Sequence, residues 1–114
     1  MISAHFAPCA RTGWHTHPVG QTIWVTEGVG RMQARGGDVI EVRAGDVIYT
    51  PPDEWHWHGG GPTTFMTHVA VWEAAPDGRE YEWGDLVSDD EYFTMEGDGE
   101  LREQIAGGGV ASPW

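Results

Sequence analysis

The chain has 114 residues, which suits one domain with a modest core and leaves no room for two. Hydrophobic residues make up 39 % of it and charged residues 21 %, values that are ordinary for a soluble globular protein. Acidic residues outnumber basic ones by 18 to 6, which gives a formal net charge of −12 at pH 7. Because such a surface repels phosphate groups, we expect neither nucleic acid nor a membrane surface as a partner.

Cysteine content and the first residues bear on the compartment. The chain has a single cysteine, Cys9, so it forms no internal disulfide, and a lone thiol favours a reducing compartment. The first residues lack the positive charge and the long apolar run of a secretory signal. No stretch approaches the length of a membrane span. These features predict a cytoplasmic protein.

Short segments rich in β-branched and aromatic residues alternate with glycine and proline turns as far as Glu73. The run Gly36-Gly37-Asp38 is a hairpin signal between two of these segments. Many short strands at this spacing predict an all-β sandwich or barrel. The expected strands cover residues 2–6, 21–27, 29–35, 39–43, 46–50, 55–58 and 63–73.

The last quarter of the chain has a different character. Ser88 and Glu91 have the spacing of a capping box, in which each side chain binds the backbone amide of the other residue. A short helix is therefore expected over residues 89–95. From Glu96 onward, glycines and acidic residues predict a flexible tail, and Trp114 at its end has no assigned role.

Five of the six histidines and one glutamine form a pattern. Its members are His15, His17, Gln21, His56, His58 and His68. Side chains two residues apart leave the same face of a strand, so each His-x-His pair points one way. A lone histidine on a strand is more often a hydrogen-bonded polar residue than a ligand, but two such pairs beside turn residues are hard to explain by core packing. Neutral imidazoles that converge inside a small barrel can hold a divalent metal.

At these residues the sequence resembles the cupins. The first cupin motif reads glycine, five residues, His-x-His, three or four residues, glutamate, six residues and glycine. His15, His17, Gln21 and Gly28 match this spacing, with glutamine in the place of the glutamate and Cys9 in the place of the first glycine. The resemblance implies a jelly-roll β-barrel with a metal site inside it.

The second cupin motif follows in the expected order. It reads glycine, five residues, Pro-x-Gly, two residues, histidine, three residues and asparagine. Gly45, Pro51 and His56 match, whereas Asp53 replaces the second glycine and Gly60 the asparagine. These departures concern turn geometry and leave the ligand positions intact. The two motifs together extend the resemblance from residue 1 to about residue 73.

A narrower resemblance links the chain to small bacterial cupins that include manganese-dependent hydroxynitrile lyases. It rests on the runs ARTGWHTHP at 10–18, GQT at 20–22, HWHG at 56–59 and PTTFMTH at 62–68. The metal ligands that it implies are His15, His17, Gln21 and His56. It further implies His68 as the base, with His58 as second choice. Those lyases carry a glutamine four residues after the base, where this chain has Trp72, so the pocket is expected to differ in shape.

The ligand set has chemical consequences. A neutral amide in the place of a carboxylate leaves a divalent site with about one more unit of positive charge, which favours polarisation of a substrate oxygen over dioxygen chemistry. We therefore expect a metal-dependent lyase acting on a small hydroxylated or carbonyl substrate, with cyanohydrin cleavage as the sharpest version. A cupin dioxygenase and a non-catalytic small-molecule binding module are the alternatives. The resemblance to the manganese-dependent lyases implies Mn(II) as the ion, and Fe(II), Ni(II) and Zn(II) suit the same ligands.

The expected organisation is a cupin barrel over residues 1–84 and a C-terminal helix with an acidic, glycine-rich tail over residues 85–114. Trp24 has the opposite parity to Gln21 on the same strand, so it is expected to face away from the metal. A tryptophan on the outside of a sheet predicts a homodimer or a higher homo-oligomer through that sheet.

Overall fold

The computed structural model describes residues 1–107, which contain eight strands and two helices. The strands are β1 (Ile2–Phe6), β2 (His15–Thr16), β3 (Gln21–Ala34), β4 (Ile40–Arg43), β5 (Val47–Thr50), β6 (His56–Gly60), β7 (Met66–Val71) and β8 (Glu82–Trp83). The helices are α1 (Asp89–Tyr92) and α2 (Asp98–Gly107). Neither helix has the length and hydropathy needed to cross a bilayer. The last seven residues, with Trp114, lie outside the described part.

The strands form one curled antiparallel sheet. Its order is β1-β7-β3-β6-β2-β8, and β4 and β5 pair with β3 beside this path. Along β7 the side chains alternate, so that Met66, His68 and Ala70 are buried while Val71 is exposed. The all-β architecture predicted from the turn signals is therefore confirmed, and the curl of the sheet brings one face of its strands around a common interior.

Strand β3 is the centre of the sheet. The sequence predicted two strands here, over residues 21–27 and 29–35, and that division is wrong. A bulge between Val25 and Glu27 bends the strand without ending it. Gly28 continues the strand at a φ of 78°, in a position where a Cβ would collide with the carbonyl of Phe65. The first half of β3 therefore pairs with β5 and β7, and the second half with β4 and β6.

Two residues stand where the cupin motifs have glycine, and both adopt the left-handed conformation. The φ angle is 66° at Cys9 and 64° at Asp53. This region favours glycine because a Cβ crowds the following carbonyl oxygen. The turn geometry expected from the motif spacing is thus kept, although both residues carry side chains.

Two clusters of buried apolar side chains form the core. The first lies within the sheet and contains Ile23, Val25, Met32, Val42, Met66 and Ala70. The second contains Trp14, Val39, Trp57, Val87 and Tyr92. In this second cluster, the rings of Trp57 and Tyr92 lie 5.5 Å apart between centroids. The contact joins β6 to α1, so the C-terminal segment packs against the sheet.

The capping box predicted for α1 is confirmed. Ser88 accepts a hydrogen bond from the Glu91 amide at 3.1 Å, and Glu91 accepts one from the Ser88 amide at 2.9 Å. The helix is shorter than expected and ends at Tyr92. Helix α2 lies where the sequence indicated a flexible tail, so that expectation is wrong as far as Gly107.

A buried ion pair explains why α2 forms. The two terminal nitrogens of the Arg31 guanidinium, Nη1 and Nη2, donate to the Asp98 carboxylate at 2.7 and 2.8 Å, and only 8 % and 2 % of the two side chains are exposed. Burial disfavours the charged form of Asp98, but hydrogen bonds from Arg31 and the Met95 amide outweigh this effect and lower the pKa of the carboxyl. The first residue of α2 is thereby fixed to β3.

We expect Asp98→Asn to lower the free energy of unfolding by about 3–5 kcal/mol near neutral pH, because it leaves the buried Arg31 without a counter-charge. In the wild type, the stabilisation by Asp98 is present above the ordinary carboxyl pKa of about 3.9 and is lost as the pH falls through the lower pKa of the folded state. The difference between the two proteins should therefore shrink on acidification. Urea titrations at several pH values measure it.

Asp90→Asn is the matched control. Asp90 pairs with Arg102 at 2.7 Å, the same distance as in the buried pair, but it lies on the surface with 87 % of its side chain exposed. Exposed pairs contribute little, so this variant should unfold close to the wild type. Equal losses in the two variants would contradict the anchoring role of the Arg31–Asp98 pair.

Candidate metal centre

A cavity of about 280 Å³ lies inside the curled sheet. Strand β1 contributes Ile2, Ala4 and Phe6 to its wall, and β7 contributes His68 and Ala70. The remaining lining residues are Thr12, His15, His17, Gln21, His58, Trp72, Tyr81 and Trp83. No Asp, Glu, Lys or Arg belongs to this lining, as far as residues 1–107 are concerned. The interior is thus polar through imidazoles and one amide, without fixed charge.

All six members of the histidine–glutamine pattern are buried and lie together. The ring centroid of His15 lies 4.3 Å from that of His56, 5.3 Å from that of His17 and 5.0 Å from that of His58. The Gln21 oxygen Oε1 lies 2.9 Å from Nε2 of His56. The register of the strands accounts for part of this proximity, because His15 and His56 are direct partners across β2 and β6. His5, the sixth histidine, is exposed on β1, as expected from the sequence.

The Nδ1 atoms of three of the imidazoles lie within hydrogen-bond distance of backbone carbonyl oxygens. The three contacts are His15 to Gly13 at 2.9 Å, His17 to Glu80 at 2.8 Å and His56 to Glu54 at 3.0 Å. A carbonyl oxygen only accepts, so each Nδ1 must carry the hydrogen. The Nε2 atom of each neutral ring then holds a free lone pair, which is the state that a metal ligand requires.

Burial keeps these rings neutral. It is the largest effect on all three, lowering the pKa of His15 to about 4 and lowering the pKa of His17 and of His56. Within the described residues, Nε2 of His17 is buried without a hydrogen-bond partner. Nε2 of His56 faces Gln21, whose amide can supply an N–H donor to that atom and whose oxygen would be a ligand for a bound cation. The donor set therefore fits a divalent metal.

His58 and His68 form a second arrangement next to the first. Nε2 of His68 and Nδ1 of His58 lie 2.9 Å apart, so one ring donates to the other. Burial lowers the pKa of both imidazoles, most strongly for His58. The remaining atoms, Nε2 of His58 and Nδ1 of His68, have no partner among residues 1–107. Two neutral rings joined in this way keep one free lone pair, at one of these two atoms.

Among residues 1–107, the group of ligand atoms that meets the distance requirement of a metal site is not the set expected from the sequence. One nitrogen each of His15, His56 and His58 lies within 4.8 Å of the others, and all three residues are buried. Three buried histidines can thus form a metal site in this cavity. This group shares His15 and His56 with the set expected from the sequence and contains His58 instead of His17 and Gln21.

Comparison with known families supports the same fold. A model of the cupin domain matches residues 3–69, which is more than half of the chain. The chain is a cupin. The match includes both motifs, from Cys9 to Gly60, and also His68, and it ends before Trp72, Tyr81 and Trp83.

Individual cupins are similar over most of the chain. An (R)-mandelonitrile lyase from Granulicella tundricola is 51 % identical over 90 residues, which are 79 % of this chain and 68 % of that enzyme. A solved cupin-like protein from Thermotoga maritima is 38 % identical with a TM-score of 0.77, over 83 % of this chain and 71 % of that one. The polyketide cyclase RemF from Streptomyces resistomycificus is 26 % identical with a TM-score of 0.60, over 87 % and 69 % of the two chains.

Sequence reasoning found the histidines of this cupin but missed part of the wall. Tyr81 and Trp83 line the cavity from a segment that contains several acidic residues and belongs to neither motif. Two aromatic residues at alternate positions beside that segment's glutamates were the available signal, and it is a weak one. Trp72, expected to reshape the pocket, does line it.

Proposed function

We propose that this cupin is a metal-dependent lyase that cleaves a small hydroxylated substrate. The most specific form of this proposal is that the substrate is a cyanohydrin. The observation that carries the proposal is the juxtaposition of neutral imidazoles holding free lone pairs with the hydrogen-bonded His58–His68 pair in one cavity. Similarity to the (R)-mandelonitrile lyase from Granulicella tundricola supports the reaction type.

The proposed metal ligands are His15, His17, Gln21 and His56. The hydrogen bonds from Nδ1 to backbone carbonyls favour this set, because such outer contacts fix the tautomer and the ring direction of metal-binding histidines. His58 lacks this support, since its Nδ1 faces His68. When bound, a divalent ion such as Mn(II) would supply Lewis-acid stabilisation of negative charge on the substrate oxygen.

The chain's own residues would move the proton. We assign His68 the role of the base, which takes the hydroxyl proton of the cyanohydrin at Nδ1 while its Nε2–H donates to His58. The bond from carbon to cyanide breaks with its electron pair on cyanide, and the carbon–oxygen double bond forms. The imidazolium then returns the proton to cyanide, so the products are an aldehyde and hydrogen cyanide. Low pKa values in the buried pair keep the base unprotonated near neutral pH.

Two substitutions separate the competing ligand sets. We expect His17→Ala to weaken manganese binding by at least about tenfold, since even outer-shell losses cost this much, and His58→Ala to retain the metal. Elemental analysis and metal titration of the purified variants measure the effect. His5→Ala, which changes an exposed histidine, is the control. Retention by the His17 variant together with loss by the His58 variant would favour the set of His15, His56 and His58 instead.

The manganese-loaded protein is expected to release benzaldehyde from mandelonitrile faster than free manganese in the same buffer. His68→Asn should lower kcat by about 10²–10⁴-fold because it removes the base, while the metal content stays unchanged. Ultraviolet absorbance of benzaldehyde follows the reaction. Wild-type release no faster than the metal blank would remove the cyanohydrin reaction from consideration.

Assembly is a separate proposal. On the outside of the sheet, Trp24 of β3 lies between Val47 of β5 and Val69 of β7, and Thr22, two residues earlier on β3, lies between Tyr49 and Val71. We call the side chains of Trp24, Val47, Tyr49, Val69 and Val71 the outer patch. Trp24 is 54 % exposed and faces away from the cavity, as its parity predicted. We propose that a second copy of the chain covers this outer patch, because two strongly acidic chains can approach each other most closely through uncharged surfaces.

Trp24→Glu should convert the dimer to a monomer, since it would place two carboxylates in the apolar contact. Light scattering after size-exclusion chromatography measures the mass. Leu86→Glu is the control, because Leu86 is 85 % exposed and does not belong to the outer patch. A wild-type protein that is already monomeric would exclude this interface.

A further inference from the structure

Four aromatic side chains line the cavity: Phe6 lies beside His58 and His68, and the other three lie next to His15 and His17. The ring of Trp83 lies 5.0 Å from that of His15, and the ring of Trp72 lies 5.0 Å from that of His17. Tyr81 stands 5.8 Å from Trp83 at an interplanar angle of 62°. A substrate whose oxygen reaches the cluster therefore has its next few atoms against these rings.

Two of these rings belong to a segment that we call the aromatic strap, residues 80–84. The strap pairs with β2, where Trp83 is the partner of His15. It is also fixed at both ends: the Gly84 amide donates to the Trp14 carbonyl at 2.7 Å, and Glu80 accepts from His17 through its carbonyl at 2.8 Å. The side chain of Glu80 accepts from Nε1 of Trp72 at 3.2 Å. The three rings are thus held in place relative to the imidazoles.

Exposure of the strap rings points to a binding role. Trp83 is 58 % exposed and Tyr81 is 51 % exposed, although both line the cavity. A ring that only shielded the imidazoles would gain more stability by packing into the core. Aromatic rings left partly open beside a cavity can instead bury the face of a flat ligand, with edge-to-face or offset contacts.

Charge restricts the ligand further. Among residues 1–107, no lysine or arginine lines the cavity, so these residues offer a ring substituent no cationic partner. Glu80 and Glu82 are exposed on the strap, and the whole chain carries a net charge of −12. An anionic group on the side of the ligand away from the histidines would meet repulsion there.

We propose that Trp72, Tyr81 and Trp83 bind the ring of a neutral aromatic substrate while its oxygen lies at the histidine cluster. This inference rests on the proposed function for the position of the oxygen. It goes further by assigning substrate selection to residues beyond the matched cupin domain, which ends at residue 69.

Binding of unreactive alcohols to the manganese-loaded protein tests the proposal. Calorimetry should show benzyl alcohol binding about three- to tenfold more tightly than cyclohexylmethanol, which has a saturated ring of similar size. The anionic 4-(hydroxymethyl)benzoate should bind more weakly than benzyl alcohol. Equal affinity for the two neutral alcohols would overturn the aromatic contact, and equal affinity for the benzoate would overturn the charge restriction.

Trp83→Leu should abolish the preference for the aromatic alcohol without loss of metal. This residue is more than half exposed, so the variant is expected to fold. Trp72→Leu, which changes the ring next to His17, should reduce the same ratio. Trp24→Leu is the matched control on the outer patch and should keep the full preference. An unchanged ratio in both wall variants would refute the assignment of these rings.

The alcohol measurements are independent of turnover. A protein that prefers benzyl alcohol but releases no benzaldehyde from mandelonitrile would support the aromatic wall and refute the proposed reaction. A protein that cleaves cyanohydrins but binds the two neutral alcohols equally would refute the wall and leave the reaction intact.

Discussion

Three hydrogen bonds from imidazole Nδ1 atoms to backbone carbonyls are the interactions on which the candidate centre depends. Each one fixes a tautomer and turns an Nε2 lone pair away from the backbone. Without them the buried rings would be free to rotate, and a neutral imidazole presents a donor as readily as an acceptor. The carbonyls belong to three separate segments, so the centre depends on the relative placement of the loop before β2, the turn before β6 and the strap.

Antiparallel register supplies that placement. His15 and His56 are direct partners across β2 and β6, and His68 is the partner of Val25 on β3. Continuity of β3 matters because this one strand carries Gln21 at its start and pairs with β6 near its end. The bulge and Gly28 let it pass from one half of the curled sheet to the other, which is how residues far apart in the chain share one cavity.

Much of this could be predicted from the sequence. Turn signals separated most of the strands, and the two cupin motifs indicated that His15, His17 and His56 converge, because these are local patterns. The place of His68 came only from the narrower resemblance to small bacterial cupins. The helix beginning at Asp98 could not be predicted, since its partner Arg31 is 67 residues away and its own sequence contains glycines and few apolar residues. The unbroken β3 was missed because Gly28 was interpreted as a turn residue, whereas it continues the strand at a positive φ and packs against Phe65.

The proposed metal ligands and the rings proposed to bind the substrate lie on different parts of the chain. The clustered imidazoles stand on strands of the sheet, except His17, which directly follows β2, whereas two of the three rings proposed to bind the substrate stand on the strap. The strap meets the centre mainly through backbone atoms, and backbone contacts survive changes of side chain. Under the proposed function, exchange of residues 81 and 83 would therefore change which substrates bind and would leave the histidine cluster unchanged.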